Sequence, residues 1–492
     1  MKNRDLNSVY LLLIVVILMM MSSCQRGGKA YNGNIEGYEI LTPAPGPEPR
    51  INGPLVYGCR PGNPFLYRIH CQGERPVSFS VEGLPSGLNL DPSSGIITGK
   101  TPVAGEKLAL APPMGWNHWY AYYRRITDPL IREAADVMIS SGMADVGYQY
   151  INIDDCWMLK KTDSLRMDQL RDMKGDPIPN QNFPDMKGLT DYIHEKGLKA
   201  GIYSSPGPLT CAGFLGSYQH EEQDARQYAA WGFDFLKYDW CSYENIAGED
   251  PGLEAAIQPF RMMGDILKSL DRDIVYNLCQ YGMKNVWEWG AEAGGHCWRT
   301  AGDLGYNLDH VFNVALSNAE HRSYSKPGEW NDPDYIQIGW FGNIQERLQQ
   351  VKKTSMAPAT QYAFMSLWSL MASPLFYSGA MSKLDDFTLN ILCNPEVIEV
   401  NQDPLGESGI VIHHPDSCFI MVKNLIDGSQ SVGLFNRGTE PAEVTVLWEE
   451  LNIEGRKSVR DLWRQKKIGM FNHKFTAIVP AKGVVLVKIS EL

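Results

Sequence analysis

The sequence predicts an α/β fold: a closed (β/α)8 TIM barrel of parallel strands ringed by helices, flanked by a small N-terminal β-sandwich and a C-terminal antiparallel β-sandwich. Three observations predict it. Between residues 107 and 403, strand-like and helix-like stretches alternate as consecutive βα units do. Eight strand candidates fall in that span, which has the length such barrels need. On either side the alternation stops, and short β runs broken by Gly and Pro replace it. An open doubly wound sheet is the alternative, but no Gly-rich dinucleotide fingerprint follows the first strand.

At the amino terminus, Lys2 and Arg4 precede an apolar run from Val9 to Met21, followed by Ser22-Ser23-Cys24. This is the pattern of a secretory signal with a small-residue cleavage site, and the run is short for a membrane span. Cys24 directly after two small residues resembles a bacterial lipoprotein box. The expectation is a signal over 1–23, lipidation at Cys24, and an exported chain held on a bacterial membrane, in the periplasm or at the cell surface, where disulfides are permitted. Residues 24–48, rich in Gly and Pro, read as a tether. Residues 49–106 carry short runs such as Phe65–Ile69 and Ile96–Gly99 and resemble the immunoglobulin-like modules attached to bacterial sugar enzymes; Cys59 and Cys71 could close a loop there.

In the barrel the strand candidates are Met114–Asn117, Tyr148–Ile153, Leu198–Ser204, Phe233–Asp239, Asp273–Gln280, His296–Asp303, Gly328–Asp332 and Pro374–Ser378. Amphipathic stretches such as Pro129–Ser141, Leu189–Lys196, Glu221–Trp231 and Gly252–Leu270 fill the intervals as helices. Runs such as Phe419–Val422, Ala442–Leu447 and Gly483–Ile489 make residues 404–492 an all-β tail. A chain of 492 residues with 44% hydrophobic content can bury a large core, and a net charge of -12 excludes a nucleic-acid partner, which needs a basic face.

Active sites of parallel barrels are built at the carboxyl ends of the strands. Those ends supply Trp116 on the first strand, Asp154 and Asp155 on the second, Tyr203 on the third, and Lys237 with Asp239 on the fourth. Gln280 stands on the fifth, Arg299 and Asp303 on the sixth, and Asp332 on the seventh. So many ionisable groups at one rim are costly unless they pair or work. Two carboxylates on different strands, Asp239 and Asp303, suit glycosidic hydrolysis, one attacking the anomeric carbon and the other protonating the leaving oxygen. Lys237 and Arg299 would keep the nucleophile ionised by nearby positive charge and bind hydroxyls, while burial or the negative field would raise the carboxyl of Asp303 above that of Asp239; a plain ion pair of Arg299 with Asp303 is the structural alternative. The adjacent pair Asp154-Asp155 suits two neighbouring hydroxyls, and Trp116 offers an apolar face; a helix cap or metal ligand set for the pair, and a core role for Trp116, are the structural alternatives. His118, His194 and His220 form no metal-spaced set, so no metal or cofactor is expected.

The motifs Ala111–Asn117, Tyr150–Trp157, Leu236–Cys241, Trp298–Asp303 and Trp330–Asp334, in this order across the barrel, resemble glycoside hydrolase family 27, the α-galactosidase and α-N-acetylgalactosaminidase family. The resemblance implies a retaining, metal-independent exo-glycosidase acting on terminal α-galactosyl residues, with Asp239 as nucleophile and Asp303 as acid/base. It implies that Asp154 and Asp155 bind the 6- and 4-hydroxyls, that Lys237, Tyr203 and Arg299 bind the sugar further, and that Trp116 meets the ring face. Cys211 with Cys241 matches a family disulfide, and Cys279 with Cys297 could match another. Two departures stand out. Gln280 replaces a frequent Glu on the 2-hydroxyl side, and Trp119–Tyr123 lacks the Cys that would pair with Cys156. An α-N-acetylgalactosaminidase, a β-L-arabinopyranosidase and a non-catalytic glycan-binding lipoprotein are the rival readings.

Overall fold

The computed structural model describes residues 30–102, 105, 107–162, 164–305, 310–342, 350–413 and 417–491. The signal segment and Cys24 lie outside the described residues. Among the described residues, no helix is long and apolar enough to cross a membrane.

The barrel strands, numbered in chain order, are β1 (Met114–Asn117), β2 (Tyr150–Asn152), β3 (Lys199–Ser204), β4 (Phe235–Asp239), β5 (Val275–Cys279), β6 (Cys297–Arg299), β7 (Trp330–Asp332) and β8 (Leu375–Tyr377). They pair in parallel in sequence order, with β8 returning to β1. The ring closes just past β7, where Ile336 bridges Tyr377 and the Ile336 N–H donates to Phe376 O at 2.7 Å. Nearly every strand residue is buried on both faces, as expected when side chains fill the inside and helices cover the outside. At one interior contact a side chain is impossible: a Cβ on Gly201 would stand 2.0 Å from Asn152 Oδ1.

The helices start and stop where local chemistry dictates. Asp128–Ser140 begins at Thr127, whose hydroxyl accepts from the Leu130 N–H, with Pro129 in the first turn; its buried residues Ile131, Ala134, Ala135 and Met138 recur at helical spacing toward the strands. Met186–Glu195 is capped by Asp185, which accepts from the Gly188 N–H at 2.9 Å. Glu221–Trp231 ends at Gly232, in the left-handed region at φ 103°.

After the barrel, a six-stranded antiparallel sheet faces a three-stranded one over a core of Ile420, Leu434, Val446, Phe475 and Val487. The third strand of the smaller sheet is Tyr31–Asn32, which runs parallel to Lys474–Val479. This corrects the reading of residues 24–48 as a tether for their described part, residues 30–48. Leu41 is buried, its N–H donating to Asn390 Oδ1 at 3.1 Å, and the Thr42 N–H donates to the same oxygen at 2.8 Å. The segment is an extended strap laid along the barrel, held because its backbone N–H groups find an acceptor on the helix Asp386–Leu392.

The N-terminal module is smaller than a full sandwich, with a three-stranded sheet (Phe65–Arg68, Leu88–Leu90, Ile96–Gly99) and a two-stranded one (Arg50–Ile51, Cys71–Gln72). Arg60 fastens it to the base of the barrel, with its Nε donating to Asp273 Oδ1 at 2.7 Å and its Nη1 to Lys268 O at 2.6 Å. Cys59 and Cys71 are both free, against expectation. Cys59 adjoins Arg60, whose N–H donates to Asp273, whereas the Cys71 carbonyl accepts from Arg75, which is paired with Asp145, so the two thiols have different neighbours.

Candidate active site

Side chains alternate along a strand, so Lys237 and Asp239 leave β4 on one side. Asp239 is 5% exposed and accepts from two phenols, Tyr203 to Oδ2 at 3.0 Å and Tyr281 to Oδ1 at 2.6 Å. Burial pushes its carboxyl above the ordinary range, with the charges of Asp303 and Asp154 adding to that, while Lys237 and the Tyr281 hydrogen bond pull it down. Tyr203 comes from β3 as foreseen; Tyr281, two residues past β5, was not foreseen.

Lys237 makes its ion pair with Asp154 rather than with Asp239, Nζ to Oδ2 at 2.9 Å, both side chains being buried. The same oxygen accepts from Asn117 Nδ2 at 2.9 Å, and Asp154 Oδ1 accepts from the Asp155 N–H at 2.9 Å. Burial opposes ionisation of Asp154, but the ammonium outweighs it and holds the carboxyl below its usual value. Beneath it, His118 Nδ1 accepts from the Asp154 N–H at 2.9 Å and its Nε2 faces Tyr123 O at 3.1 Å, which fixes a neutral ring protonated on Nε2. Burial pushes the His118 imidazole down to about 4. Asp155 accepts from the backbone of Cys156 and Ala212, at 2.6 and 2.8 Å. Burial nevertheless raises its carboxyl to about 6.

Arg299 is wholly buried on β6 and stands between two carboxylates. Its Nη1 and Nη2 each donate to Asp303 Oδ1 at 3.2 Å, and Nη2 lies 3.2 Å from Asp334 Oδ2. Asp303 sits in the loop past the strand with its side chain 52% exposed, against a guanidinium. The burial expected of it belongs instead to Asp334, whose carboxyl is raised by burial and by the charge of Asp303 against the pull of Arg299. Asp334 also accepts from the Tyr120 hydroxyl at 2.7 Å and the Leu304 N–H at 2.8 Å. Asp332 faces inward as a brace, accepting from Asn277 Nδ2 at 2.9 Å.

Gln280 is buried, with Oε1 accepting from the Gly282 N–H at 2.9 Å and Nε2 without a partner. Trp116 has 0% exposure, and its indole N–H donates to Gly379 O at 2.8 Å. The apolar face foreseen for a ring is therefore covered in this structure, because the indole packs into the barrel core with Tyr122 against its edge.

The expected bond between Cys211 and Cys241 is present. Cys279 and Cys297 are free and buried, which corrects the expectation of a second bridge. In the register of β5 and β6, Cys297 lies opposite Asn277, so Cys279 is two residues further along the same face. Strand spacing and rise then put the two Cα atoms about 8 Å apart, beyond the reach of a disulfide. Cys297 Sγ accepts from Asn277 Nδ2 at 3.1 Å instead. Cys156 is free and buried.

Tyr281, Asp334, Asn117 and His118, with Tyr335, whose hydroxyl accepts from Asn117 Nδ2 at 3.2 Å, were missed as site members. The only available signals were the second Asp of Trp330–Asp334 and the polar pair that follows Trp116.

The profile of the family described as "Alpha galactosidase A" matches residues 111–403, and that of the "Alpha galactosidase C-terminal beta sandwich domain" matches residues 416–489. An alpha-galactosidase of Oryza sativa subsp. japonica is 35% identical over 378 residues, 76% of this chain and 83% of its own. Alpha-galactosidase I from Mortierella vinacea superposes with a TM-score of 0.70 at 31% identity, covering 78% of this chain and 98% of its own. A solved Bacteroides fragilis structure covers 92% of this chain and 99% of its own at 33% identity, with a TM-score of 0.82. With a profile spanning the whole barrel and these relatives covered over most of their length, the chain belongs to the alpha galactosidase A family.

Proposed function

We propose that this enzyme removes terminal α-D-galactosyl residues from galactosides and oligosaccharides with retention of configuration. The observation that carries the reading is the pairing, at one rim, of a buried carboxylate held by two phenols with a solvent-reaching carboxyl in the loop after the next-but-one strand. Asp239 attacks the anomeric carbon as the bond to the leaving oxygen breaks, and Asp303 gives that oxygen its proton. The product is a glycosyl ester on Asp239. Asp303, now a carboxylate, takes a proton from water, whose oxygen displaces Asp239 and restores both groups. Asp154, Asp155, Lys237 and Arg299 bind the sugar hydroxyls, and the unpartnered Gln280 amide offers a further donor.

Hydrolysis of an aryl α-galactoside, beside the N-acetyl-α-galactosaminide and β-L-arabinopyranoside, tests substrate and mechanism together. Asp239→Ala should abolish turnover and, with azide and an activated donor, give the inverted galactosyl azide; Asp303→Ala should give the retained one. Parental rates in Asp239→Ala would remove the nucleophile, preference for another glycoside would replace the substrate, and no turnover of any of the three would leave a glycan-binding role. Export and anchoring through a lipid on Cys24 belong to the same proposal, supported by the sequence of the leader. Fatty-acid labelling that survives Cys24→Ala would refute the anchor.

A further inference from the structure

Each oxygen of Asp239 is held by a different phenol, and each phenol is backed by a different sulfur of one disulfide. Tyr203 donates to Oδ2 and its hydroxyl lies 3.4 Å from Cys241 Sγ; Tyr281 donates to Oδ1 and its hydroxyl lies 3.8 Å from Cys211 Sγ. Cys211 and Cys241 are bonded, so carboxylate, two phenols and two sulfurs form a closed ring of contacts. The backbone is bent to allow it. Tyr281 has φ 63° and Gly282 has φ 83°, where a Cβ on Gly282 would stand 2.5 Å from Thr300 O. A non-glycine residue in the left-handed region is uncommon and persists where its surroundings hold it.

We propose that Tyr281 is a positioning residue for the nucleophile: with Tyr203 it clamps the plane of the Asp239 carboxylate, and the Cys211–Cys241 disulfide holds both phenols in place. Two fixed donors on opposite oxygens stop rotation about Cβ–Cγ and keep a lone pair aimed at the anomeric carbon. The clamp also acts unequally on the two chemical steps. Phenols bind a carboxylate more strongly than the ester that replaces it. They therefore loosen as the glycosyl–enzyme forms and tighten as Asp239 departs, which assists the second step more than the first.

This rests on Asp239 being the nucleophile, and the experiment separates the two claims. In Tyr281→Phe, pre-steady-state release from an aryl α-galactoside should show deglycosylation slowed on the order of 10- to 100-fold and glycosylation slowed less. A burst should appear, KM should fall with kcat, and the acid limb of the kcat/KM profile should move to higher pH as the carboxylate loses a donor. The paired variant Cys211→Ala with Cys241→Ala should slow the same step and add little on top of Tyr281→Phe; if that pair does not fold, the single variant decides. Equal slowing of both steps with an unmoved acid limb would overturn the clamp. Trapping with a fluorinated galactosyl donor and mapping the labelled peptide tests the premise. Label on Asp239 beside unchanged Tyr281→Phe kinetics removes only the clamp, and label elsewhere removes both.

Discussion

Lys237→Met keeps most of the apolar stem and deletes the charge, leaving Asp154 buried without its cation. The ammonium and the carboxylate are 2.9 Å apart, with side chains 8% and 2% exposed. At an effective dielectric constant of about 20, their attraction is about 6 kcal/mol, much of it offset by taking both ions out of water. Removing one partner of such a pair typically costs about 3–5 kcal/mol. Asp154 keeps the Asn117 amide and the Asp155 N–H, which places the expected cost near the lower end, about 3 kcal/mol. The pH dependence identifies the cause. In the parent, Asp154 is depressed by the ammonium, so its stabilising contribution is present above the unfolded value near 4 and is lost as pH falls through the lower folded value. In the variant burial acts without the ammonium, the folded carboxyl rises above its unfolded value, and the penalty grows with pH. The deficit should be largest at pH 7 and should narrow toward pH 4. Urea unfolding of Lys237→Met, Asp154→Asn and the double variant at both pH values measures it, with a coupling of at least about 2 kcal/mol expected at pH 7. A deficit below about 1 kcal/mol, the same at both pH values, would refute the pairing as a determinant of the fold and the site.

Three further outcomes follow from the same structure. His70 and His118 are buried and His296 is half-buried; desolvation pushes each down to about 4, so they stay neutral when folded and take up protons on unfolding. Stability should fall between pH 6.5 and 4, and His118→Asn should flatten that slope by about one proton, worth about 3 kcal/mol over the window. Alkylation of the denatured, unreduced protein followed by peptide mapping should leave Cys211 and Cys241 cross-linked and label Cys279 and Cys297; a Cys279–Cys297 peptide would contradict the strand register. Leu41→Ala should cost about 2–3 kcal/mol in denaturant titration, a loss that a solvated tether would not show.

The barrel was legible because its strands are short, largely apolar runs most of which end on a polar residue, and all eight expected strands are present, seven of them with trimmed ends. His296–Asp303 shows where trimming matters. The strand stops at Arg299, so Asp303 belongs to a loop, and the loop puts it in solvent beside a guanidinium instead of in a dry pocket. Linear order cannot say which of two carboxylates a cation will choose. That depends on register between strands: Lys237 lies opposite Tyr203 and Asn277, and its long stem reaches across the barrel to Asp154. Tyr281 was illegible for a similar reason. A tyrosine past a strand end is usually packing, and only the left-handed turn at Tyr281-Gly282 carries its hydroxyl to Asp239. The strap at 31–42 failed on composition, since Gly and Pro mark extended ordered chain as readily as a flexible linker.

The distribution of cations at the rim separates binding from reaction. Lys237 is paired with Asp154, and Arg299 is shared by Asp303 and Asp334, while among the described residues Asp239 has no ion pair. A nucleophile locked to an ammonium would be a weak one, because the cation holds the electron pair that must reach carbon. Phenols, which burial and neighbouring carboxylates keep protonated, give Asp239 neutral donors that fix its orientation without neutralising it. Lys237 still lowers the Asp239 carboxyl through its field from two residues earlier on the same strand, so it supports ionisation without occupying the attacking oxygens. Lys237, expected to keep the nucleophile ionised by nearby positive charge, thus acts on it through its field alone, and the rim shows a division of labour. Full charges fix the carboxylates that hold hydroxyls or a proton, and neutral hydroxyl donors fix the one that forms a bond.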